Sequence, residues 1–228
     1  DLCGGKLVGY GNEIAVLRDA VIDGSKCVSE RAGGEFLEDV RMQKEDVEYF
    51  QFRKGAFQVM CSLSSKRYAF NRENHLNKYL KSLDTRDSAT PVSQQADFAI
   101  VVTRYEYANV YHTMTDWYNA FLIMQFFNKT PAETNVILMD AHPRGVLDPV
   151  WPVLFNSTRR LSRLPEKSSY KFLVWGIQGY NSPLLDHYAR TLPLSEEFRS
   201  FFLSSFAIPP DAYKLDCTSV RVMFVWRR

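Results

Sequence analysis

The sequence predicts an α/β fold with a Rossmann-like parallel sheet, preceded by a region rich in strands and loops. Apolar runs typical of strands buried on both faces lie at residues 98–102, 135–139 and 170–175. Segments with helical character at residues 110–127 and 149–155 separate these runs. Strands that alternate with helices form parallel sheets with right-handed crossovers, and such sheets bind ligands at the carboxyl ends of their strands.

The amino-terminal part of the chain has a different texture. Residues 1–95 are expected to form short strands and turns, because glycines interrupt brief apolar stretches. The acidic and aromatic segment 35–52 is interpreted as a solvated helix or loop without chemistry. An amphipathic helix is predicted at residues 68–81, and a polar loop follows at 84–95. We therefore expect a Rossmann-like domain to occupy residues 96–228.

The remaining elements of that domain follow in order. Residues 110–127 are long enough for a helix, although aromatic and β-branched side chains make them mediocre helix formers. Residues 149–155 suit a short helix with proline in its first turn. Residues 195–206 carry two glutamates in the first turn and suit a capped amphipathic helix. Residues 220–226 read as a last strand without a covering helix, so we expect the chain to be a fragment.

Composition excludes some function classes. The chain has 228 residues, is 46% hydrophobic and carries 28 basic against 26 acidic side chains, for a net charge of +2. This content supports a packed core. The charge balance provides no global field that would recruit nucleic acid or a membrane surface. No apolar run approaches the roughly 20 residues that span a bilayer.

Cysteines and sequons bear on the compartment. The four cysteines lack the close pairs of zinc and redox sites, so thiolate metal binding is not expected. Disulfides and buried free thiols both remain open. Asn128 and Asn156 each begin a sequon and are candidate glycosylation sites, which modestly favours a lumenal protein.

The segment after the strand at 98–102 holds the strongest candidate site. His112, Asp116 and Asn119 lie at i, i+4 and i+7 and share one helix face. An ordinary polar stripe on a half-exposed helix is the alternative. The neighbourhood favours a sugar-binding cleft, because aromatic rings that stack on sugars lie among groups that bond hydroxyls. The neighbouring candidates are Arg104, Tyr105, Glu106, Tyr107, Asn109, Tyr111, Trp117 and Tyr118.

Two further clusters follow later strands. Asp140 and His142 come after the run at 135–139, where either a binding site or a plain turn is an equally good interpretation. A basic patch follows at Arg159, Arg160 and Arg163, for which a solvated surface is favoured over phosphate binding. Two other histidines, His75 and His187, are interpreted as bystanders.

Several sequence blocks resemble the plant-type β-1,2-xylosyltransferases, whose family also includes the EGF-domain-specific O-GlcNAc transferases. The most specific likeness is YEYAN followed by HxxxDW within residues 103–122. Other blocks that carry the resemblance are GGEFLEDV (33–40), KGAF (54–57), DAHPRGVLDPVWPVLF (140–155), GYNSPL (179–184), EFRSFF (197–202) and VMFVWRR (222–228).

The resemblance implies the amino-terminal, acceptor-side half of a GT-B glycosyltransferase that inverts configuration. It implies transfer of xylose from UDP-xylose to the β-linked core mannose of an N-glycan, without a bound metal or other cofactor. Family members are type II membrane proteins of the Golgi, with a lumenal catalytic region. The family's HxxxD positions fall on His112 and Asp116. The membrane anchor and the carboxyl-terminal donor half are expected only in the full-length protein, so this piece alone is expected to be inactive.

The residues themselves leave three questions open. Inverting transfer needs a base that takes a proton from the acceptor hydroxyl, and either Asp116 or His112 is a candidate. The favoured interpretation is a coupled pair in which Asp116 is the base or orients His112. The donor sugar is open, since O-linked GlcNAc or another pentose is an alternative within the same family. A noncatalytic glycan-binding module is the alternative from a different class, because the aromatic cluster would suffice without a base.

Overall fold

A computed structural model describes most of the chain, in two compact units, Asp1–Pro193 and Leu194–Arg228. The predicted strand at 220–226, His187 and the first six residues of the helix predicted at 68–81 lie outside the described residues. The residues that the structure describes are 4–40, 47–61, 74–86, 91–186, 188 and 190–209.

Within the described residues, eight strands form one mixed sheet in the first unit and two short strands form a separate pair. The separate pair consists of β3 (Cys27–Val28) and β4 (Gln51–Phe52). The strands of the large sheet are β1 (Leu7–Tyr10), β2 (Ile14–Asp23), β5 (Phe57–Val59), β6 (Leu83–Thr85), β7 (Ser93–Val102), β8 (Asn135–Leu138), β9 (Ser157–Arg160) and β10 (Lys167–Trp175).

The order of the main path is β6-β5-β2-β10-β7-β8-β9, and β1 pairs with β2. Strands β10, β7, β8 and β9 run parallel, which confirms the predicted parallel arrangement for this part of the sheet. Strand β2 runs antiparallel to β10, with Leu17 opposite Leu173, and therefore makes the sheet mixed. Strands from both sides of residue 95 thus share one sheet.

Two strands differ from the sequence prediction. Strand β7 begins at Ser93, within the predicted loop, because its polar first residues pair with Ser168 and Ser169 of β10. Strand β9 was not predicted, since its sequence Ser-Thr-Arg-Arg lacks the apolar alternation of a strand. In the described structure β9 pairs only with β8 at the edge of the sheet, where polar strands are tolerated.

Helix α2, the longest described helix, confirms the prediction to within one residue. It begins after Asn109, whose side chain accepts a hydrogen bond of 2.9 Å from the backbone N–H of Tyr111. Helix α4 lies in the second unit, and its N-cap residue Leu194 supplies no side-chain hydrogen bond, so the predicted capping is wrong. The described helices are α1 (Leu76–Ser82), α2 (Val110–Phe126), α3 (Trp151–Leu154) and α4 (Ser195–Ser205).

The core lies on both faces of the sheet. On one face Val101 belongs to the same apolar cluster as Tyr79 of α1 and Trp175 of β10. On the other face α2 covers β7, and Ile123 and Ile100 meet beside Gly176. Burial on both faces explains the continuous apolar runs in the sequence. The polar residues described below lie at the carboxyl edge of the parallel strands.

The structure describes some of the cysteines and sequons that bear on the cellular compartment. Cys61 is disulfide-bonded, whereas Cys27 is a free thiol whose pKa burial, followed by the charge of Asp23, raises to about 12. Asn128 and Asn156, the sequon asparagines, are both exposed. None of the described helices combines the length and apolar character required to cross a membrane.

Candidate active site

Polar residues gather where three parallel strands end. Thr103 and Arg104 follow β7, Asp140 follows β8 by one residue, and Gly176 follows β10. Because the carboxyl ends of parallel strands meet at one edge, residues far apart in sequence come together there. The candidate site predicted from the sequence therefore lies where an open α/β sheet binds its ligands.

Arg104 and Asp140 form a buried bidentate ion pair. The guanidinium donates from Nε to Oδ2 over 3.0 Å and from a terminal nitrogen to Oδ1 over 2.7 Å, and the side chains are 1% and 0% exposed. Burial would raise the pKa of Asp140, but Arg104 outweighs burial and lowers the pKa to about 2. Burial would also lower the pKa of Arg104, yet Asp140 and Asp148 raise it above its ordinary value. Both groups therefore stay charged at neutral pH.

Asp148 extends this pair into a network. One of its carboxylate oxygens accepts a hydrogen bond of 2.6 Å from Arg104, and the other accepts one from Arg160. Arg160 also donates to the backbone carbonyl of His142 over 2.8 Å. Arg160 is 9% exposed, so the prediction of a solvated surface is wrong for this arginine, while Arg159 and Arg163 are exposed as predicted. The carboxylate partner of Arg160, Asp148, lies in a loop, and no sequence pattern predicts that contact.

At the same edge of the sheet, His142 contacts two other segments of the chain. Its Nδ1 lies 2.8 Å from a carboxylate oxygen of Glu48, and its Nε2 lies 3.2 Å from the carbonyl oxygen of Arg104. Each ring nitrogen thus lies within hydrogen-bond distance of an oxygen, and the two contacts fix the orientation of the ring. Glu48 is 7% exposed, which corrects the prediction that segment 35–52 is a solvated surface.

Glycines allow the GGEF block at residues 33–36 to pack closely against the loop after β8 and against β9, and allow that loop to approach Tyr107. Gly33 and Gly34 have φ values of +81° and +82°, which favour glycine. A Cβ on Gly33 would lie 2.9 Å from Cα of Ala141, and a Cβ on Gly34 would lie 2.8 Å from Nε of Arg160. A Cβ on Gly145 would lie 2.4 Å from the carbonyl oxygen of Tyr107. The blocks GGEF and DAHPRG, distant in sequence, therefore form one structural unit.

His112 lies in the first turn of α2. Its ring is half-buried and contacts Tyr105 edge-on, with centroids 5.0 Å apart, and Tyr111 at 5.7 Å. Tyr105 is half-buried and Tyr111 is 46% exposed. These three rings form an aromatic mouth, defined as Tyr105, Tyr111 and His112, that solvent reaches.

Asp116 and Asn119 lie deeper on α2 than the sequence indicated. Each is 2% exposed, and neither the carboxyl oxygens of Asp116 nor the amide of Asn119 have a hydrogen-bond partner among the described residues. Burial raises the pKa of Asp116 well above its ordinary value, although Arg104 opposes this shift and Asp140 adds to it. No hydrogen bond therefore joins the proposed pair of His112 and Asp116 among the described side chains.

The other predicted sugar contacts divide by burial. Trp117 is 2% exposed and packs edge-on against Trp151, and Tyr107 is 5% exposed beside the ring of His142. Tyr118 is 1% exposed and donates to the carbonyl oxygen of Pro193. Glu106 accepts hydrogen bonds from the backbone of its own turn. Burial thus leaves Tyr105 and Tyr111 as the accessible aromatic rings of this segment.

Two residues at the start of α1, His75 and Lys78, lie near this edge although no sequence pattern placed them there. His75 was interpreted as a bystander, but its Nε2 lies 2.9 Å from the carbonyl oxygen of Gly176 at the end of β10. Burial lowers its pKa to about 4. Burial also lowers the pKa of Lys78 to about 8, against the opposing charge of Asp140. A helix of seven residues gave no signal in the sequence that it would reach this edge.

Across the part of the chain that the structure describes, no group of three or more histidine, cysteine, aspartate or glutamate side chains is arranged to hold a metal ion.

Two curated proteins are similar to this chain. A β-1,2-xylosyltransferase of Arabidopsis thaliana is 28% identical over 188 residues, which cover 67% of this chain and 35% of the relative. The β-1,2-xylosyltransferase RCN11 of Oryza sativa subsp. japonica is 25% identical over 190 residues, 74% of this chain and 35% of the relative. Homology therefore supports assignment to the xylosyltransferase family.

The chain spans about a third of the length of these two xylosyltransferases. No protein-family model matches it. The α/β architecture with a mixed sheet is consistent with a Rossmann-like half of a glycosyltransferase, which agrees with the xylosyltransferase assignment.

Proposed function

We propose that this protein is an inverting glycosyltransferase that moves xylose from UDP-xylose in β-1,2 linkage to the core mannose of N-glycans. The observation that carries the proposal is the similarity to two proteins named β-1,2-xylosyltransferase. The described residues supply the acceptor side of a GT-B enzyme in this proposal. Its acceptor site is the aromatic mouth at the start of α2, since stacked rings and hydrogen-bonding groups suit a sugar.

The proposed reaction is a single displacement. The mannose 2-hydroxyl attacks the anomeric carbon of xylose, the bond from that carbon to the UDP oxygen breaks, and UDP leaves with the bonding electrons. A base accepts the hydroxyl proton as the new glycosidic bond forms. His112 is our candidate for this base, because its half-buried ring lies at the mouth next to Tyr105.

Asp116 has a different proposed role. Its side chain is 2% exposed and burial raises its pKa, so it favours the neutral, protonated form. A neutral carboxyl one helical turn below His112 is a hydrogen-bond donor and a poor base. We assign Asp116 to positioning the helix residues that line the mouth, and His112 to proton transfer.

The buried pair is proposed to position the acceptor site. Arg104 is 1% exposed and Asp140 is fully buried, so neither side chain is exposed for stacking on a glycan. Arg104 immediately precedes Tyr105, and its ion pair fixes the turn that carries this ring. The Nε2 atom of His142 in turn contacts the carbonyl oxygen of Arg104 over 3.2 Å. The three residues therefore act on the acceptor through the position of Tyr105.

An acceptor of this class implies the secretory pathway, and we propose the Golgi lumen as the location. The exposed sequon asparagines Asn128 and Asn156 are compatible with that compartment. The disulfide at Cys61 is compatible with an oxidising lumen as well. The proposal predicts that both asparagines are accessible to glycosylation.

The test is a donor competition with the full gene product. UDP-xylose and UDP-GlcNAc are supplied together with an N-glycan core acceptor, and products are resolved by mass spectrometry. The proposal predicts addition of a single pentose to the core mannose. Addition of an N-acetylhexosamine would replace the proposed donor by UDP-GlcNAc. Glycan binding without addition of either sugar would contradict the enzyme and favour a binding module.

A further inference from the structure

We propose that a cleft lined by arginines beside the carboxyl end of β9 binds a phosphate-type oxyanion, with a diphosphate as the best fit. The cleft has a volume of about 520 Å³ and is distinct from the aromatic mouth of α2. We name it the arginine cleft, and its lining residues are Gly34, Phe36, Arg144, Asp148, Thr158, Arg159, Arg160 and Arg163.

The charges of the arginine cleft do not cancel. Four of its lining residues are arginines and one is an aspartate. That aspartate, Asp148, is already engaged by Arg104 and Arg160. Among the described residues, Arg144, Arg159 and Arg163 have no carboxylate within ion-pair distance. Three guanidinium groups that face one space without an acidic partner favour an anion with two or more negative charges.

The walls of the cleft are fixed by the fold. Arg160 donates to the carbonyls of His142 and Pro143 and to Asp148, so its guanidinium is held in one orientation. It passes so close to Gly34 that a Cβ there would lie 2.8 Å from its Nε. The backbone N–H of Arg144 donates to the carbonyl of Glu35 over 2.7 Å. A site whose cationic walls are already ordered loses little entropy when an anion binds.

The remaining arginines suit direct contact with the anion. Arg159 and Arg163 are exposed, and Arg159 makes one hydrogen bond of 2.9 Å to Gln95. Arg144 lies over the ring of Phe36, with its guanidinium carbon 5.8 Å from the centroid. Planar guanidinium groups bind phosphate oxygens in a bidentate manner. The cleft also lies where open α/β sheets bind phosphorylated ligands, at the carboxyl ends of parallel strands.

A neighbouring apolar cleft could hold an organic group attached to the anion. Phe36 and Arg144 line both the arginine cleft and a second cleft of about 330 Å³ that Tyr107, Val146 and Pro149 also line. Phe36 is 59% exposed and Val146 is 84% exposed. A diphosphate that carries an organic group would place the anion on the arginines and the organic group against this surface. This inference does not depend on the proposed transferase, because the arginines bind the anion whatever reaction follows.

The test measures binding of inorganic pyrophosphate to the 228-residue chain by titration calorimetry at low ionic strength. The double variant Arg159→Gln/Arg163→Gln is compared with Arg18→Gln/Arg53→Gln, which removes the same charge from exposed arginines outside the cleft. We expect the cleft variant to weaken pyrophosphate about tenfold or more and the control to change it about twofold or less. Thermal unfolding confirms that both variants fold.

Two results would overturn the proposal: no saturable binding of pyrophosphate, or the same loss of affinity in both double variants. A second arm, with UDP as the probe and Phe36→Ala as the variant, separates the two sources of the anion. A Phe36→Ala effect on UDP but not on pyrophosphate identifies an organic diphosphate as the ligand of the arginine cleft. Equal binding of both probes, unaffected by Phe36→Ala, identifies a free diphosphate in the same cleft.

Discussion

Arg104 and Asp140 form a bidentate ion pair whose side chains are 1% and 0% exposed, at the point where β7 and β8 end. The two residues are 36 positions apart in the sequence, and the stretch between them includes the whole of α2. The pair therefore fixes both ends of the helix connection that carries the aromatic mouth. Breaking it leaves an uncompensated charge in the protein interior.

Asp140→Asn is expected to destabilise the protein by about 3–5 kcal/mol, the usual cost of removing one partner from a buried pair. The free energy of unfolding is measured by urea denaturation at neutral pH. Asp84→Asn is the matched control, because Asp84 pairs with Lys54 at the surface, with side chains 41% and 61% exposed. That change is expected to cost about 1 kcal/mol or less. Equal costs for the two variants would show that the buried pair has no special role.

Asp116→Asn is expected to change how stability depends on pH. The pKa of Asp116 is raised by burial in the folded protein, so the folded state binds a proton that the unfolded state releases above about pH 4. Stability from this group is present at low pH and falls as pH rises toward the folded pKa, by up to about 1.4 kcal/mol per pH unit.

The amide of Asn carries no charge at any of these pH values, so the variant should lose this slope and gain relative to the wild type as pH rises above about 4. Urea denaturation at a series of pH values measures the difference. A constant difference between the two proteins from pH 4 to 8 would mean that Asp116 is ionised in the folded state. It would restore Asp116 as a candidate base.

Gly145→Ala is expected to destabilise the loop after β8 by about 1–3 kcal/mol, because its Cβ would lie 2.4 Å from the carbonyl oxygen of Tyr107. Gly24→Ala is the control, since the nearest atom to its Cβ would be 3.5 Å away. Thermal denaturation of both variants gives the comparison. If both melt like the wild type, the close approach of the loop to Tyr107 is not required for the fold.

Tyr111→Ala is expected to weaken binding of an N-glycan core by about 0.5–1.5 kcal/mol, the range of an aromatic stacking contact. Tyr111 is 46% exposed in the first turn of α2. Tyr10→Ala is the control, because Tyr10 packs against Phe126 at the other end of that helix. Affinity is measured by glycan titration followed with intrinsic fluorescence. An equal effect of both changes would place the acceptor elsewhere.

The buried strands β7 and β8 and helix α2 could be predicted from the sequence because their signals are local. Residues 98–102 and 135–139 are apolar throughout, as strands buried on both faces must be, and both runs lie within or overlap observed strands. Strand β9 could not be predicted, since Ser157–Arg160 is polar and its pairing with β8 depends on tertiary structure. The apolar pattern of the sequence therefore predicts buried strands but does not predict polar strands at the edge of a sheet.

The position of the candidate site residues in the fold could be predicted from the sequence, but their contacts could not. The i, i+4, i+7 spacing correctly places His112, Asp116 and Asn119 on one face of α2. Spacing does not show which part of a face is covered, and the structure buries the last two of these residues. The contact of Glu48 with His142 joins residues 94 positions apart, and no local pattern predicts it.

The role of His112 as the base is tested by the rate of xylose transfer from UDP-xylose to an N-glycan core, measured for the full gene product and its His112→Gln variant. Folding of both proteins is checked by thermal denaturation, and His75→Gln serves as a histidine control outside the mouth. We expect His112→Gln to lower turnover by about 10²- to 10⁴-fold, as when a general base is removed, and His75→Gln to change it little. Wild-type turnover retained by His112→Gln, or no xylose transfer by the wild-type protein, would contradict this expectation.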